Sequence, residues 1–434
     1  MSTGDKPGTR LSNAIDEAAE ELVDLTQQLI RIPTINPPAP NYLEICELIS
    51  TRLSTKGFKC ELVRATGAIG DSDRYPRWNV IAKHVGKKAG ECVHFNSHTD
   101  VVAVGDGWTV DPFAGVVKDG KVYGRGACDM KGGLAASIIA AEKFIEVHGD
   151  YHGSIEISGT ADEESGGFGG VAWLAEHGWF DPDRVQHVII PEPLNKDRIC
   201  LGHRGVLWTE IETYGHIAHG SMPFLGQCAV RHMGAVIEGI EHKIIPSLQK
   251  KTTAMPVVPE QARQSTLNIN SIHGGLAEPE DGYTGLPAAL VPDRCRMVLD
   301  RRFIIEEDIE DVREELQSLL LEVGRNRPGF KAGTKELFSV LPVMTAKDAP
   351  VVKAVADAIE NELGTSPDYV VSPGTYDQKH IDRIGRLKNC IAYGPGILDL
   401  AHQPDEYVGI QDMVDAAKVM AGSLVSLLTD QGGA

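Results

Sequence analysis

Apolar residues recur at helical spacing between Asn13 and Ile32 (Ile15, Leu22, Leu25, Leu29), and the run stops at Pro33. That pattern predicts an amphipathic helix ended by proline. A second helix is predicted from Tyr42 to Leu53. From Val80 onward the period shortens. The apolar runs VIAKHV, ECVHFNS, GSIEISGTA and VQHVII alternate with the helical stretches GGLAASIIAAEKFIEV and GGVAWLAEHG. Such strand–helix alternation predicts an α/β fold, a mostly parallel sheet covered by helices on both faces.

Between about Val206 and Leu341 the order changes. Strand VLWTEIETYG, helix CAVRHMGAVIEGIEHKII, strands STLNINSIHGG and RCRMVLDRRFII, helix DIEDVREELQSLLLEV and a strand in KAGTKELFSV succeed one another. This β-α-β-β-α-β order describes a small split-βαβ, ferredoxin-like domain with its helices on one face. Alternation resumes from Ala349 to Leu428, so the smaller domain is inserted in the larger one. The expected division is 1–205 with 343–434 for the larger domain and 206–342 for the insert. A chain of 434 residues suits two domains.

Composition supports a globular core, with 42% hydrophobic and 24% charged residues. The formal net charge of −19 opposes binding to a nucleic-acid backbone or an anionic membrane surface, since both need clustered Lys and Arg. The eight cysteines form no Cys-x-x-Cys pair, which argues against a disulfide framework and a thiolate zinc site. The start, MSTGDKPGTRLSNAIDEAAEE, lacks the apolar core of a signal peptide. No apolar run approaches the roughly 20 residues of a membrane span. The expected compartment is the cytoplasm.

Ligands of open parallel sheets sit outside the carboxyl ends of the strands. His98 and Asp100 come after ECVHFNS, Asp129 after the hairpin-like KVYGRGA, and Glu163 and Glu164 after GSIEISGTA. Glu192 comes after VQHVII, and His402 after CIAYGPG. Any one of these alone could be a solvated loop residue or a helix N-cap, Asp129 above all. Gathered on one rim they form a ligand set. Two imidazoles and three carboxylates can hold two divalent metal ions sharing one carboxylate, zinc foremost, with cobalt or manganese as replacements. Ions about 3.5–4 Å apart polarise a carbonyl and acidify water. One of the pair Glu163–Glu164 then remains free as general base. Asp100 stands where a carboxylate can orient the His98 imidazole.

The stretches SHTDVVAVGDGWTVDPF, YGRGACDMKGG, TADEESGG, Glu192-Pro193, GHIAHGSMP and AHQPDEYV resemble, in order, the motifs of the M20 metallopeptidases. The branch resembled is that of acetylornithine deacetylase and succinyl-diaminopimelate desuccinylase, over about Leu29 to Val425. The resemblance implies a catalytic α/β domain with an inserted lid through which two subunits dimerise. It implies that His98 and Glu192 hold one zinc, that Glu164 and His402 hold the other, and that Asp129 bridges. Glu163 is then the base, Asp100 supports His98, and His219 reaches the neighbouring subunit's site to stabilise the oxyanion. Arg302, Asn268 and the Gly374-Thr375 turn match positions that contact a substrate carboxylate; for Arg302 the alternative is an ion pair with Glu306 or Glu307. Ala103, His203 in His203-Arg204-Gly205, and Met222 depart from the desuccinylase pattern, and the last two speak against specificity for diaminopimelate.

Two other features carry less. GGFGG (Gly166 to Gly170) has no Lys-Ser or Lys-Thr after it and reads as a helix start rather than a phosphate loop. Cys128 has no base at suitable spacing and reads as a small buried residue. The expected function is hydrolysis of the amide bond of a small N-acyl amino acid or similar carboxylate-bearing amide. Rivals are a dipeptidase or carboxypeptidase on the same scaffold, and a catalytically silent binding homologue.

Overall fold

The computed structural model describes residues 7–275 and 289–429. Its contacts divide the chain into two compact units. The first comprises the described residues up to Gly202, Met344–Val370 and those from Tyr376 on; the second comprises His203–Val343 and Val371–Thr375.

The first unit is built on a nine-stranded sheet. Its strands are β1 (Lys59–Arg64), β2 (Trp78–Val85), β3 (Lys88–His98), β4 (His152–Thr160), β5 (His187–Ile190), β6 (Arg198–His203), β7 (Val343–Met344), β8 (Asp368–Ser372) and β9 (Cys390–Ala392). The order is β1-β2-β4-β3-β5-β9-β6-β7, with β8 paired to β6. Strands β4, β3, β5 and β9 pair in parallel, whereas β1–β2, β2–β4 and β9–β6 are antiparallel. The sheet is therefore mixed, with a parallel centre. One cause is chain length: only Gly86 and Lys87 join β2 to β3, too few for a parallel crossover.

The central strands are buried on both faces, which is why they read as apolar runs. One set of residues departs from this. His94, Asn96 and His98 share a face of β3, and the register sets His94 beside Glu156 and Asn96 beside Ser158 on β4. A polar strip thus runs inside the sheet toward the strand ends. Helix Gly132–Val147 is buried from Gly132 through Glu142 and packs against the C-terminal helix Ile410–Leu428. The predicted N-terminal helix is divided into Pro7–Glu17 and Ala19–Ile30. A small antiparallel sheet of Val116–Lys118, Lys121–Tyr123 and Tyr407–Gly409 ties the loop before Tyr407 to the loop after Tyr123.

The second unit realises the β-α-β-β-α-β order. Its sheet runs Thr266–Gly274, Arg294–Phe303, Gly205–Tyr214, Lys331–Val340, every neighbouring pair antiparallel. Helices Ala229–Gly239 and Ile309–Asn326 contribute Met233, Val236, Leu319 and Leu320 to a core shared with Ile211, Met297 and Leu299 of the sheet. Strand alternation leaves Asp300 and Arg302 on the opposite face from Leu299. Among the described residues no helix is long and apolar enough to cross a membrane.

A tight approach joins the first turn of helix Gly132–Val147 to the residue after β5. A Cβ added at Gly133 would lie 2.0 Å from the Pro191 carbonyl oxygen, which comes immediately after β5. We predict that Gly133→Ala destabilises the chain by about 1–3 kcal/mol, the usual cost of overpacking. A denaturant melt with an unchanged midpoint would contradict this.

Candidate active site

Strands β3, β4, β5 and β9 run in parallel, so their carboxyl ends lie along one edge. His98 is the last residue of β3, Glu163 and Glu164 form a turn of 3-10 helix after β4, and Glu192 lies two residues beyond β5. Asp129 sits in the irregular turn that opens helix Gly132–Val147, and His402 sits in the loop before Tyr407.

These side chains meet. His98 Nε2 lies 3.0 Å from Asp129 Oδ1 and 3.9 Å from Glu192 Oε1. His402 Nε2 lies 3.4 Å from Asp129 Oδ2 and 3.2 Å from Glu164 Oε1. Donor atoms of His98, Asp129 and Glu164 all fall within 4.8 Å of one another. Asp129 is the centre, with one carboxylate oxygen toward each imidazole.

Asp100 stands beside His98 and also holds the Glu163–Glu164 turn. His98 Nδ1 lies 3.0 Å from the Asp100 backbone carbonyl and 3.6 Å from its carboxylate. The carboxylate accepts hydrogen bonds from the backbone N–H groups of Glu163 (3.2 Å) and Glu164 (3.1 Å) and from Asn36 Nδ2 (2.8 Å). It fixes the Glu163–Glu164 turn as well as the histidine. Glu163 itself pairs with neither imidazole and accepts from Lys379 Nζ at 3.0 Å.

Several supporting residues are absent from the sequence-based expectation. Glu406 accepts from the backbone N–H groups of Cys128 (2.9 Å) and Asp129 (3.0 Å), and from Arg125 Nη1 at 2.5 Å. Glu406 lies inside AHQPDEYV and Arg125 inside YGRGACDMKGG, so both belong to motifs that predict only the ligands. Arg77 donates to Asp162 Oδ2 at 2.9 Å, and Tyr42 donates to Asp162 Oδ1 at 3.0 Å, beneath the same acidic turn. No local pattern announces a partner 85 residues away.

The remaining expected residues belong to the second unit. His219 is exposed, pairs with Leu290 across a short ladder, and has Ser221 Oγ 2.8 Å from its Nδ1. Arg302 donates to both carboxylate oxygens of Asp300, at 2.7 and 2.9 Å. Its ion-pair partner is thus neither Glu306 nor Glu307; Glu307 pairs with Arg301. Asn268 lies opposite Asp300 in the sheet register and donates to Asn270 Oδ1. Gly374 and Thr375 lie in Val371–Thr375. Arg204 is buried beside this segment and donates to the carbonyls of Pro373 (3.2 Å) and Gln264 (3.0 Å). Burial, with the charge of Arg302, pulls the Arg204 pKa down to about 10.

The electrostatics of the strand-end cluster point to a missing positive charge. Burial pushes Glu164 up to about 7 even though the His402 hydrogen bond opposes it, and Asp129 adds to the rise. Burial and Asp129 also lift Glu192 well above the carboxylate range. His402 is raised to about 10 by its hydrogen bonds to Asp129 and Glu164. Burial would lower the His98 imidazole, but Asp129, Glu192 and Asp100 hold it far above its ordinary value. Burial would raise Asp129, but between the two imidazoles it is held well below the carboxylate range by its hydrogen bonds to His402 and His98. Divalent cations can supply the positive charge, and carboxylate and imidazole are the donor types that suit them.

Known proteins resemble the chain along most of its length. The model of a family described as peptidase family M20/M25/M40 matches residues 94–426. A succinyl-diaminopimelate desuccinylase of Polynucleobacter necessarius subsp. necessarius (strain STIR1) is 28% identical over 412 residues, 93% of this chain and 98% of that one. Human carnosine dipeptidase 1 shares the fold at TM-score 0.77 and 19% identity, covering 97% and 99% of the two chains. A Bacillus subtilis protein described as a dinuclear metal binding peptidase of the M20 family does so at TM-score 0.65 and 17% identity, over 95% and 99%.

Glu406 holds the Asp129 backbone without belonging to the ligand set. We predict that Glu406→Gln weakens zinc binding by about 10–100-fold, the usual effect of a lost outer partner. Titration with a competing chelator would measure it, and an unchanged affinity would remove Glu406 from this role.

Proposed function

The chain belongs to peptidase family M20/M25/M40, and from its site we propose hydrolysis of the amide bond of a small N-acyl amino acid or similar carboxylate-bearing amide. One observation carries the reading. Five metal-type donors converge on a strand edge, and a sixth group, the Glu163 carboxylate, pairs with Lys379 instead of with the imidazoles. A binding module has no need of that sixth group. The desuccinylase names of the sequence relatives support an acyl amino acid as substrate. A dipeptidase reading draws on likeness of fold, which many activities share. Turnover of a panel of acyl amino acids and dipeptides separates the two.

In this reading His98 and Glu192 hold one divalent ion, Glu164 and His402 the second, and Asp129 serves both. Its two oxygens already face the two imidazoles. Zinc suits the set best, with cobalt or manganese as substitutes. Such ions would polarise the scissile carbonyl and acidify water. Glu163 takes a proton from the attacking water and returns it to the leaving nitrogen. Asp100 holds the turn that presents Glu163 and Glu164. On the second unit, Arg302, Asn268 and the Gly374-Thr375 turn take the substrate carboxylate, and the buried Arg204 adds positive charge beside them.

We assign oxyanion stabilisation to His219 of a second copy of the chain, docked through the inserted unit. Exposed Ile217, Met222, Phe224 and Leu225 around His219 suit a surface that another subunit covers.

Substitution separates these roles. Glu163→Gln should retain metal while kcat falls by about 10²–10⁴-fold, the scale of a positioned base. Near-normal turnover would reassign the base. For His219, homodimers of Glu163→Gln and of His219→Ala should both be nearly inactive. Random exchange between equal amounts makes about half the dimers mixed, each with one intact site, so about a quarter of normal activity should return. Exchange verified by differently tagged chains, with no recovery, would show that His219 does not act across subunits.

A further inference from the structure

Lys379 lies on the short helix Gln378–Arg383, is 2% exposed at its side chain, and donates to Glu163 Oε1 at 3.0 Å. Burying an ammonium is costly, and an apolar side chain of similar length would fill the space without that penalty. Burial opposes its charge, yet Glu163, Asp377 and Glu192 hold its pKa above the ordinary lysine value. The placement is also rigid. Asp377, at the start of the same helix, accepts from Asn96 Nδ2 at 3.0 Å. Asn96 Oδ1 accepts from Ser158 Oγ at 2.8 Å, and Ser158 Oγ lies 2.7 Å from His94 Nε2. These groups form the polar strip on paired strands β3 and β4. A ladder of side-chain hydrogen bonds therefore anchors the helix start that carries Lys379 to the centre of the sheet.

We infer that Lys379 is a positioning residue for Glu163: its ammonium occupies Oε1 and leaves Oε2 as the oxygen that takes and returns the proton. The inference rests on Glu163 being the base. Among the described residues Oε1 accepts the Lys379 bond and Oε2 accepts none, so Oε2 is the less encumbered oxygen. The water O–H bond breaks as O–H forms at Oε2, and that bond breaks in turn as N–H forms on the leaving nitrogen. Lys379 keeps its three protons throughout. Its contribution is orientation, since a carboxylate free to rotate spends less time in the attacking geometry.

The test compares Lys379→Met, Lys379→Arg, Glu163→Gln and the double variant Lys379→Met/Glu163→Gln, all loaded with zinc, on one accepted acyl amino acid. Zinc content per chain is measured separately. Lys379→Met should lower kcat by about 10–100-fold with KM within about 2-fold, the pattern of an interaction that serves the reaction step rather than binding. Lys379→Arg should recover most of the loss. In the Glu163→Gln background, Lys379→Met should change the residual rate by less than about 3-fold, because residues acting through one another are not additive. An equal loss in both backgrounds, or a loss confined to KM, would overturn the inference. If Lys379→Met does not fold, Lys379→Gln undergoes the same two-background comparison with the same deciding outcomes. Should Glu163→Gln itself turn over normally, it is the base assignment that fails. If Glu163→Gln is inactive while Lys379→Met runs at the full rate, only the positioning role fails.

Discussion

Three carboxylates meet at one strand edge, and they cannot all be ionised there without a counter-charge. Two like charges about 4 Å apart repel by about 4 kcal/mol at an effective dielectric of 20. Asp129, Glu164 and Glu192 share that edge with only His98 and His402 between them. Burial and the charge of Asp129 raise the Glu164 and Glu192 carboxyls, while the two imidazoles, raised beside Asp129, hold Asp129 below the carboxylate range. A fold that maintains such an arrangement does so against its own stability. The cluster is therefore best understood as a binding site for cations whose charge removes the repulsion. Sheet topology is then the means of assembly. Only a parallel centre brings the ends of β3, β4, β5 and β9 to the same edge.

The large features of this arrangement are legible in the sequence because they arise from periodicity and from position. Alternating strands and helices identify the α/β unit, and the β-α-β-β-α-β order identifies the second sheet strand by strand. His98, Glu164 and Glu192 stand at or just past strands whose ends share an edge, and Asp129 and His402 lie in the loops that the small antiparallel sheet ties together. Direction within the sheet is harder to read. The outer strand β1 is not anticipated, and its KCELVR is only half apolar. The part of Asp100 is also incompletely legible. Its place two residues beyond His98 suggests an imidazole partner, but the carboxylate also accepts from a turn 63 and 64 residues later. For Arg302, neighbours in sequence suggest Glu306 and Glu307. The strand pleat instead puts Asp300 on the same face, two residues back.

Least legible is the set of buried charges behind the ligands, and these share one physical origin. The loops carrying Asp129 and the Glu163–Glu164 pair lie outside the sheet and the regular helices, so their backbone N–H groups have no ladder to join. Apolar packing cannot satisfy them. Each is held instead by a buried carboxylate with partners of its own. Glu406 takes the N–H groups of Cys128 and Asp129 and is balanced by Arg125. Asp100 takes those of Glu163 and Glu164 and is supported by Asn36. Asp162, at the head of the same turn, is balanced by Arg77 and Tyr42. A buried ion pair adds little net stability, but loss of one partner leaves an unpaired charge and is severely destabilising. That asymmetry explains the choice of charged supports. A loop held by apolar contacts can shift by fractions of an ångström at small cost, whereas one held by a paired carboxylate cannot move without exposing an unsatisfied charge. Ligand positions on irregular backbone thereby acquire the stiffness of the neighbouring strands. Under the proposed roles, Lys379 extends the same device from the metal ligands to the base. Glu163 would then share a turn with a metal ligand, Glu164, and an ammonium held by helix and sheet gives its carboxylate a partner of its own.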